Sequence, residues 1–126
     1  MSGGLLSLGA ALVSVAAAQA ASVSVGELLS DPDRFRGQPV AVIGTMSRFR
    51  EYVTRRGRTP YYTFDFGEGT QTIRVISYEK PQCQAGAATV EGTFEQVQWR
   101  VKVNYSYEEI IARNVTCFLG HEPKTK

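Results

Sequence analysis

The stretch Val40-Ala41-Val42-Ile43-Gly44-Thr45-Met46 decides how this chain folds. Its β-branched residues, bounded by turn-forming residues, predict a strand, the first of the sheet. Gly44 lies inside this strand, and a glycine in such a position marks a bulge or a sharp bend. Because the closure of a small barrel requires a strongly bent first strand, the stretch predicts a barrel.

The segments that follow alternate apolar and polar residues with the period of two that is typical of half-buried strands. In residues 61–66 this alternation places Tyr62, Phe64 and Phe66 together on the core face. Further strands are predicted over residues 72–78, 89–95, 98–105 and 110–117. Five or six short strands separated by turn signals, with no helix between them, predict a small all-β barrel.

One short helix is expected ahead of the sheet. Ser24 and Glu27 have the spacing of a capping box, and the helix ends at Asp31 because the following proline disfavours helical conformation there. Residues 33–38 then predict a turn into the first strand, with Phe35 tucked under the sheet.

The composition is that of one soluble globular domain. The chain has 126 residues, 43% hydrophobic and 21% charged, which excludes multidomain assemblies, collagen-like repeats and wholesale disorder. Residues 1–26 carry no charged side chain and no histidine, and the apolar run 5–18 leads into Ala18-Gln19-Ala20. This pattern is typical of a secretory signal peptide cleaved after Ala20.

We therefore expect a signal peptide over residues 1–20, a domain over 21–120 and a flexible tail over 121–126, in a periplasmic or secreted protein. A permanent membrane anchor is the weaker interpretation, because the apolar run is shorter than the roughly 20 residues that cross a bilayer. No stable membrane span is expected after cleavage.

Export changes how the two cysteines, Cys83 and Cys117, are interpreted. An even number of cysteines in an oxidising compartment favours a disulfide, and two buried unpaired cysteines are the alternative. Neither cysteine lies in a CxxC motif. With one histidine they are also too few for a structural zinc site, which needs four ligands, so no metal or cofactor is expected.

The order of these segments resembles an OB-fold. The similarity lies in four stretches, which are residues 36–45, residues 62–70 with their glycine-rich hairpin, Ile73-Arg74-Val75, and Thr89-Val90-Glu91-Gly92-Thr93-Phe94. It covers about residues 24–117. The resemblance implies a five-stranded Greek-key barrel with a short N-terminal helix. It also implies an extra hairpin between strands four and five, and no helix between strands three and four.

The resemblance further implies where a disulfide would lie. In an OB-fold the fifth strand runs parallel to the third, so both strands end at the same rim. Cys83 follows the third predicted strand and Cys117 ends the fifth. The two sulfur atoms can therefore approach the short separation that a disulfide requires.

Arginine is concentrated in residues 34–58, and most of these arginines lie in the loop that joins the first two predicted strands. Residues 34–58 contain seven arginines and one acid, Glu51, a local charge of +6 in a chain of net charge +2. Guanidinium suits phosphate and carboxylate recognition, and in OB-folds this loop flanks the ligand groove. The predicted ligand-binding residues are Arg48, Arg50, Tyr52, Arg55, Arg56, Arg58, Tyr61, Arg74 and Trp99, with further stacking platforms at Tyr78, Tyr105 and Tyr107. The alternative is that the arginines are only solvated and the aromatic residues belong to the core or rim.

We predict a non-catalytic binding module for an anionic ligand, with single-stranded nucleic acid or a nucleotide as the first choice. No nucleophile elbow, HExxH motif or P-loop is present, so no enzymatic activity is expected. An oligosaccharide or an envelope protein partner is the alternative, because an exported protein meets little nucleic acid. His121 gives a fainter resemblance to the haem chaperone of cytochrome c maturation, but the tyrosine expected shortly after that histidine is missing.

Overall fold

The computed structural model of the chain describes residues 20–100 and 104–118. Apart from residue 20, the predicted signal peptide lies outside the described residues, as do the predicted tail and His121. None of the helices in the described part of the chain is long and apolar enough to cross a membrane.

Six strands and two short helices make up the described chain. In chain order they are β1 (Ala21–Val23), α1 (Val25–Ser30), α2 (Pro32–Phe35), β2 (Pro39–Val53), β3 (Pro60–Glu68), β4 (Gln71–Ser77), β5 (Gly86–Arg100) and β6 (Asn104–Cys117). Strands β2 to β6 are the five strands that the OB-fold resemblance implies. The segment 78–85 between β4 and β5 forms no helix, as expected.

The barrel closes because β2 pairs with two different strands in succession. Its first half runs antiparallel to β5 from Pro39 to Met46, and its second half runs antiparallel to β3 from Thr45 to Val53. Strand β3 pairs with β4, β4 runs parallel to β6, and β6 pairs with β5, which returns the sheet to β2. The predicted all-β, OB-like barrel is confirmed.

The bend of β2 differs in detail from the prediction. A Cβ atom on Gly44 would lie 3.1 Å from the backbone nitrogen of Gly67 and from the Phe66 ring, so glycine lets β2 and β3 approach closely there. The register shift lies further along, between Ser47 and Arg50. Arg48, within this shift, adopts a positive φ of 58°. Of the bulge or sharp bend expected at Gly44, the bulge of β2 is found instead at Arg48.

The core largely follows the predicted alternation. Phe64 and Phe66 of β3 and Phe94 of β5 are at most 1% exposed. Tyr62, also expected in the core, is only half-buried and stacks on Phe49 with ring centroids 6.0 Å apart. Both rings belong to the parts of β2 and β3 that pair beyond the contact between β2 and β5. Tyr62 thus lies on the core face of β3, as the alternation predicts, but at a point of the strand that the core does not reach.

The helices cover part of this core. In α1 the predicted capping box forms, because the Glu27 backbone donates to Ser24 Oγ at 3.0 Å and the Ser24 backbone donates to Glu27 Oε1 at 2.9 Å. Leu28 of this helix is fully buried. A turn was predicted here, but Pro32–Phe35 forms the single-turn helix α2. Proline is favourable at the first position of a helix, because its fixed φ is helical and its missing N–H has no partner there. Phe35 is buried, as predicted.

Residues 98–105, predicted as one strand, contain a chain reversal. Strand β5 ends at Arg100 and β6 begins at Asn104, and these two residues pair across the ladder. The extra hairpin is thus the outer end of the β5–β6 hairpin. The alternation hid the reversal because paired positions of the two arms present their side chains to the same face.

Cys83 and Cys117 form a disulfide, with their Cα atoms 6.1 Å apart. The parallel pairing of β4 and β6 brings the ends of the two strands to one rim, as the OB-fold resemblance implies. Cys83 also packs against the core, with its sulfur 3.5 Å from the sulfur of Met46. A structural disulfide is compatible with an oxidising compartment.

Loss of this disulfide is expected to destabilise the domain. The bond joins residues separated by 34 positions, and a loop of that size stabilises a protein by roughly 3 to 4 kcal/mol on the chain-entropy model. The double variant Cys83→Ala, Cys117→Ala should therefore unfold at a lower urea concentration, as followed by circular dichroism. Reductant should lower the midpoint of the wild type but not that of the variant. Equal midpoints for the variant and the oxidised wild type would contradict the prediction.

Candidate ligand-binding face

One face of the sheet, turned away from the core, carries many of the predicted binding residues. Tyr52 of β2 lies opposite Tyr61 of β3. Asp65 of β3 lies opposite Arg74 of β4, and Arg74 lies opposite Glu109 of β6. Since alternate residues of a strand share a face, these pairs form one continuous surface over β2, β3, β4 and β6. We call it the outer face.

A row of three tyrosines crosses the outer face. The rings of Tyr52 and Tyr61 stack with centroids 5.1 Å apart and planes 21° apart. Tyr78, just after β4, follows at 6.3 Å from Tyr61 and is 55% exposed. These spacings are typical of aromatic pairs in proteins. The row therefore presents ring surface to solvent along a path from β2 to β4.

A groove of about 510 Å³ lies at the Tyr61–Tyr78 end of this row. Strands β2, β3, β4 and β6 and the loop after β2 all contribute to it. Its lining residues are Val53, Thr54, Arg55, Tyr61, Arg74, Ile76, Tyr78, Tyr107 and Glu109. We call it the tyrosine groove, and its walls combine aromatic and aliphatic surface with two guanidinium groups and one carboxyl.

A smaller groove of about 210 Å³ lies on the other side of Arg74. It is lined by Arg48, Arg50, Tyr52, Thr63, Asp65 and Arg74, and we call it the arginine groove. The β-bulge turns Arg48 towards Asp65, whose Oδ2 lies 3.3 Å from Arg48 Nε. Arg50 lines the same groove. Arg74 belongs to both grooves and therefore marks the centre of the outer face.

Arg74 is held loosely enough to accept a ligand. Its Nε lies 3.8 Å from Oε1 of Glu109, which is longer than a hydrogen bond. Its guanidinium carbon lies 5.9 Å from the centre of the Tyr107 ring, a cation–π distance. The Arg74 side chain is 43% exposed. The guanidinium is thus orientated by its neighbours while its N–H groups can still bind an anion.

Glu109 is a buried acid on this largely basic face. The residue is only 7% exposed. Burial raises the pKa of Glu109 above its ordinary value of 4.5, the Arg74 charge lowers it, and the neighbouring Glu95 raises it again. Desolvation is the largest of these effects, because a carboxylate loses hydration in such a position. Glu109 therefore holds a proton more readily than an exposed glutamate does.

The structure places the nine predicted binding residues in three groups. Arg48, Arg50, Tyr52, Arg55, Tyr61 and Arg74 line the two grooves. Arg56 and Arg58 are exposed in the loop between β2 and β3 and line neither groove. The backbone of Trp99 lies in β5, opposite Tyr105. Six of the nine thus share the outer face, together with the expected platforms Tyr78 and Tyr107.

The loop that carries Arg55, Arg56 and Arg58 has a defined conformation. The Thr54 backbone donates to the Thr59 carbonyl at 2.9 Å, and the Thr59 backbone donates to Thr54 Oγ1 at 3.0 Å. These hydrogen bonds close the loop at its base. The three arginines are therefore presented from an anchored turn beside the tyrosine groove.

Sequence reasoning missed the acids of the outer face. The alternation over residues 61–66 places Asp65 on the face opposite the core but indicates no site there, and Glu109 lies just before the last predicted strand. Extending the alternation of 110–117 backwards would have placed Glu109 in β6. Neither acid indicates a metal site, since within residues 20–100 and 104–118 no group of three or more histidine, cysteine or acidic side chains is arranged to hold a metal ion.

Comparison with known proteins shows the fold class. No family model and no curated protein matches the chain. Among solved structures, a protein described as an aspartyl-tRNA synthetase from Leishmania major Friedlin is similar, with a TM-score of 0.57 and 14% sequence identity. The match covers 83% of this chain but 22% of the other, so this chain spans about a fifth of that protein's length. The similarity shows a shared barrel fold.

The substitution Glu109→Gln is expected to stabilise the folded protein increasingly as the pH rises. The pKa of Glu109 is raised in the folded state. The contribution of Glu109 to the free energy of unfolding is therefore lost as the pH rises from the pKa of Glu109 in the unfolded chain through its higher pKa in the folded protein. Glutamine does not titrate and avoids this loss. Urea unfolding between about pH 4 and pH 8 measures the difference.

A matched control for this measurement is Glu68→Gln, because Glu68 is an exposed residue at the end of β3. Its stability relative to the wild type should not show the same increase with pH. A Glu109→Gln advantage that shrinks as the pH rises would contradict the assignment of burial as the dominant effect.

Proposed function

We propose that the chain is a non-catalytic, exported binding module whose outer face takes an anionic ligand, with single-stranded nucleic acid as the best candidate. The proposal rests on one observation: arginines and a row of tyrosines lie next to each other on the outer face, which is open to solvent. A single-strand binder needs both a basic track for phosphates and aromatic surfaces for bases. The outer face offers the two side by side.

The charge of the grooves supports an anionic ligand. Four arginines line them, Arg48, Arg50, Arg55 and Arg74, against the two acids Asp65 and Glu109. Arg56 and Arg58 add two more cations on the adjoining loop. Because guanidinium binds phosphate oxygens through a fork of N–H donors, this excess of positive charge favours a phosphate backbone.

The row Tyr52–Tyr61–Tyr78 supports a ligand with flat rings. Stacking of a base on an aromatic side chain contributes about 1–3 kcal/mol and depends little on which base is present. The two outer tyrosines of the row are well exposed. The similar solved structure is named for an enzyme that acts on tRNA, and the OB-fold commonly binds oligonucleotides or oligosaccharides. The proposal is thus consistent with the fold.

A protein partner is the second candidate, and exposed apolar side chains favour it. Tyr52, Val53, Tyr78 and Ile111 are among the large hydrophobic residues that remain exposed, and Ile111 pairs with Ile76 at the edge of the tyrosine groove. Aromatic and aliphatic residues flanked by arginine are typical of the centres of protein interfaces. An envelope protein would fit such a surface, as the proposed location requires.

The double variant Arg50→Ala, Arg55→Ala is expected to weaken binding of a fluorescently labelled oligothymidylate. Each phosphate contact on a single strand contributes about 0.7 to the slope of log affinity against log salt concentration. Loss of two contacts should therefore reduce that slope by about 1.4. Fluorescence anisotropy across a salt series measures both the affinity and the slope.

The matched control is Arg34→Ala, Lys80→Ala, which changes the net charge equally. Arg34 lies in α2, Lys80 follows β4 and pairs with Glu51 on the opposite face of β2 from Arg50, and neither cation lines the two grooves. This variant should keep most of the wild-type affinity. An equal loss in both double variants would show that binding follows net charge alone and would count against the outer face.

Removal of the exposed rings separates nucleic acid from other anions. Tyr52→Ala and Tyr78→Ala should each weaken oligothymidylate binding by about 5- to 150-fold, corresponding to one lost stacking contact. Binding of inorganic polyphosphate, which has no bases, should change little. Tyr52→Phe and Tyr78→Phe keep the ring and serve as controls. Equal losses on both probes would argue against stacking.

A further inference from the structure

One cross-strand row runs from the outer face onto β5, and acids outnumber bases in it. Asp65 lies opposite Arg74, Arg74 opposite Glu109, and Glu109 opposite Glu95 of β5. Asp65 has a second cation, Arg48, at 3.3 Å. For Glu109, Arg74 is the one cation within ion-pair distance among the side chains that the structure describes. The row is therefore short of positive charge at Glu109.

Glu109 also lies where a groove ligand would be bound. It lines the tyrosine groove together with Arg74, and its side chain is 9% exposed. An anion bonded to the Arg74 guanidinium would lie less than about 10 Å from the Glu109 carboxyl, within one Debye length at about 0.1 M salt. A ligand anion and an ionised Glu109 would consequently compete for the same guanidinium and repel each other.

We propose that the tyrosine groove binds its anionic ligand together with a proton on Glu109, so that binding becomes tighter as the pH falls. The inference rests on the proposed function and adds a regulation of the same site. Glu109 then acts as a positioning residue. When it is ionised it competes with the ligand for the Arg74 guanidinium, and when it is protonated it leaves that guanidinium to the ligand.

The direction of the effect follows from the groups that face Glu109. Burial already raises its pKa and Glu95 on β5 adds to this, while Arg74 on β4 opposes it. A bound anion partly neutralises Arg74 and adds a negative charge, and both changes raise the pKa of Glu109 further. A group whose pKa rises on binding takes up a proton, and by reciprocity the proton favours binding.

The remaining charged or titratable neighbours lie around the same groove or beyond Arg74. Arg55 on the loop after β2 and Tyr61 on β3 line the groove with Glu109, as do Tyr78 after β4 and Tyr107 on β6 itself. Asp65 on β3 lies beyond Arg74. Only Glu109 combines burial, a shared guanidinium and a place in the groove wall, so we assign the proton to it.

The test measures affinity for oligothymidylate as a function of pH. A probe without a terminal phosphate is used, because phosphate monoesters titrate near pH 6. The affinity of the wild type should rise by at most about tenfold per pH unit as the pH falls from about 8 to about 5. Glu109→Gln mimics the protonated acid. It should bind at about pH 8 as tightly as the wild type does at about pH 5, with a flat profile.

Two controls isolate Glu109. Glu68→Gln removes an exposed acid of β3 outside both grooves and should keep the wild-type pH profile. His121→Gln, in the wild type and in Glu109→Gln, removes the single histidine, because histidine titrates in the same range. Carbon NMR of the Glu109 carboxyl in the unmodified protein gives a readout without any variant. Its titration should move to higher pH when the oligothymidylate is added.

The outcomes separate this inference from the proposed function. Tight binding with the same pH profile in the wild type and Glu109→Gln, or a carboxyl titration that the probe does not move, would overturn the inference alone. An affinity that rises with pH would overturn it as well. Absence of binding at every pH would overturn both the proposed function and this inference.

Discussion

The double pairing of β2 is the constraint on which the rest of the structure depends. A strand that pairs first with β5 and then with β3 must bend, and the overlap at Thr45 and Met46 fixes where the barrel closes. Beyond this overlap, the second half of β2 no longer contacts β5 and pairs with β3 alone. That half carries Arg48, Arg50 and Tyr52, so the geometry that closes the barrel also builds one side of the outer face.

The outer face is positively charged because its arginines outnumber the acids that lie among them. Asp65 engages Arg48, and Glu109 lies near Arg74, while Arg50 and Arg55 line the grooves without a described ion pair. An anion therefore meets two readily available guanidinium groups and a third that Glu109 partly offsets. Coulomb attraction at such an exposed face is screened by salt, so ring contacts must supply much of any specificity.

Patterns within single strands were predictable from the residues themselves, whereas contacts between strands were predicted only where the OB-fold resemblance implied them. The period of two identified Phe64 and Phe66 as core residues, because alternation alone decides which face a side chain takes. It did not reveal the reversal after Arg100, since both arms of a hairpin show the same alternation. Glu109 escaped notice for a related reason: its position beside Arg74 depends on the parallel register of β6 on β4, which joins segments distant in the chain.

The sequence by itself determined which segments form most of the strands and that Ser24 caps the helix. It also determined which segments carry the arginines and tyrosines of the outer face. These depend on local preferences that act over a few residues. The tertiary structure alone decided that the bulge falls at Arg48 and that a buried acid shares the groove with Arg74. Each of these requires a strand register, and register is set by the packing of the whole barrel.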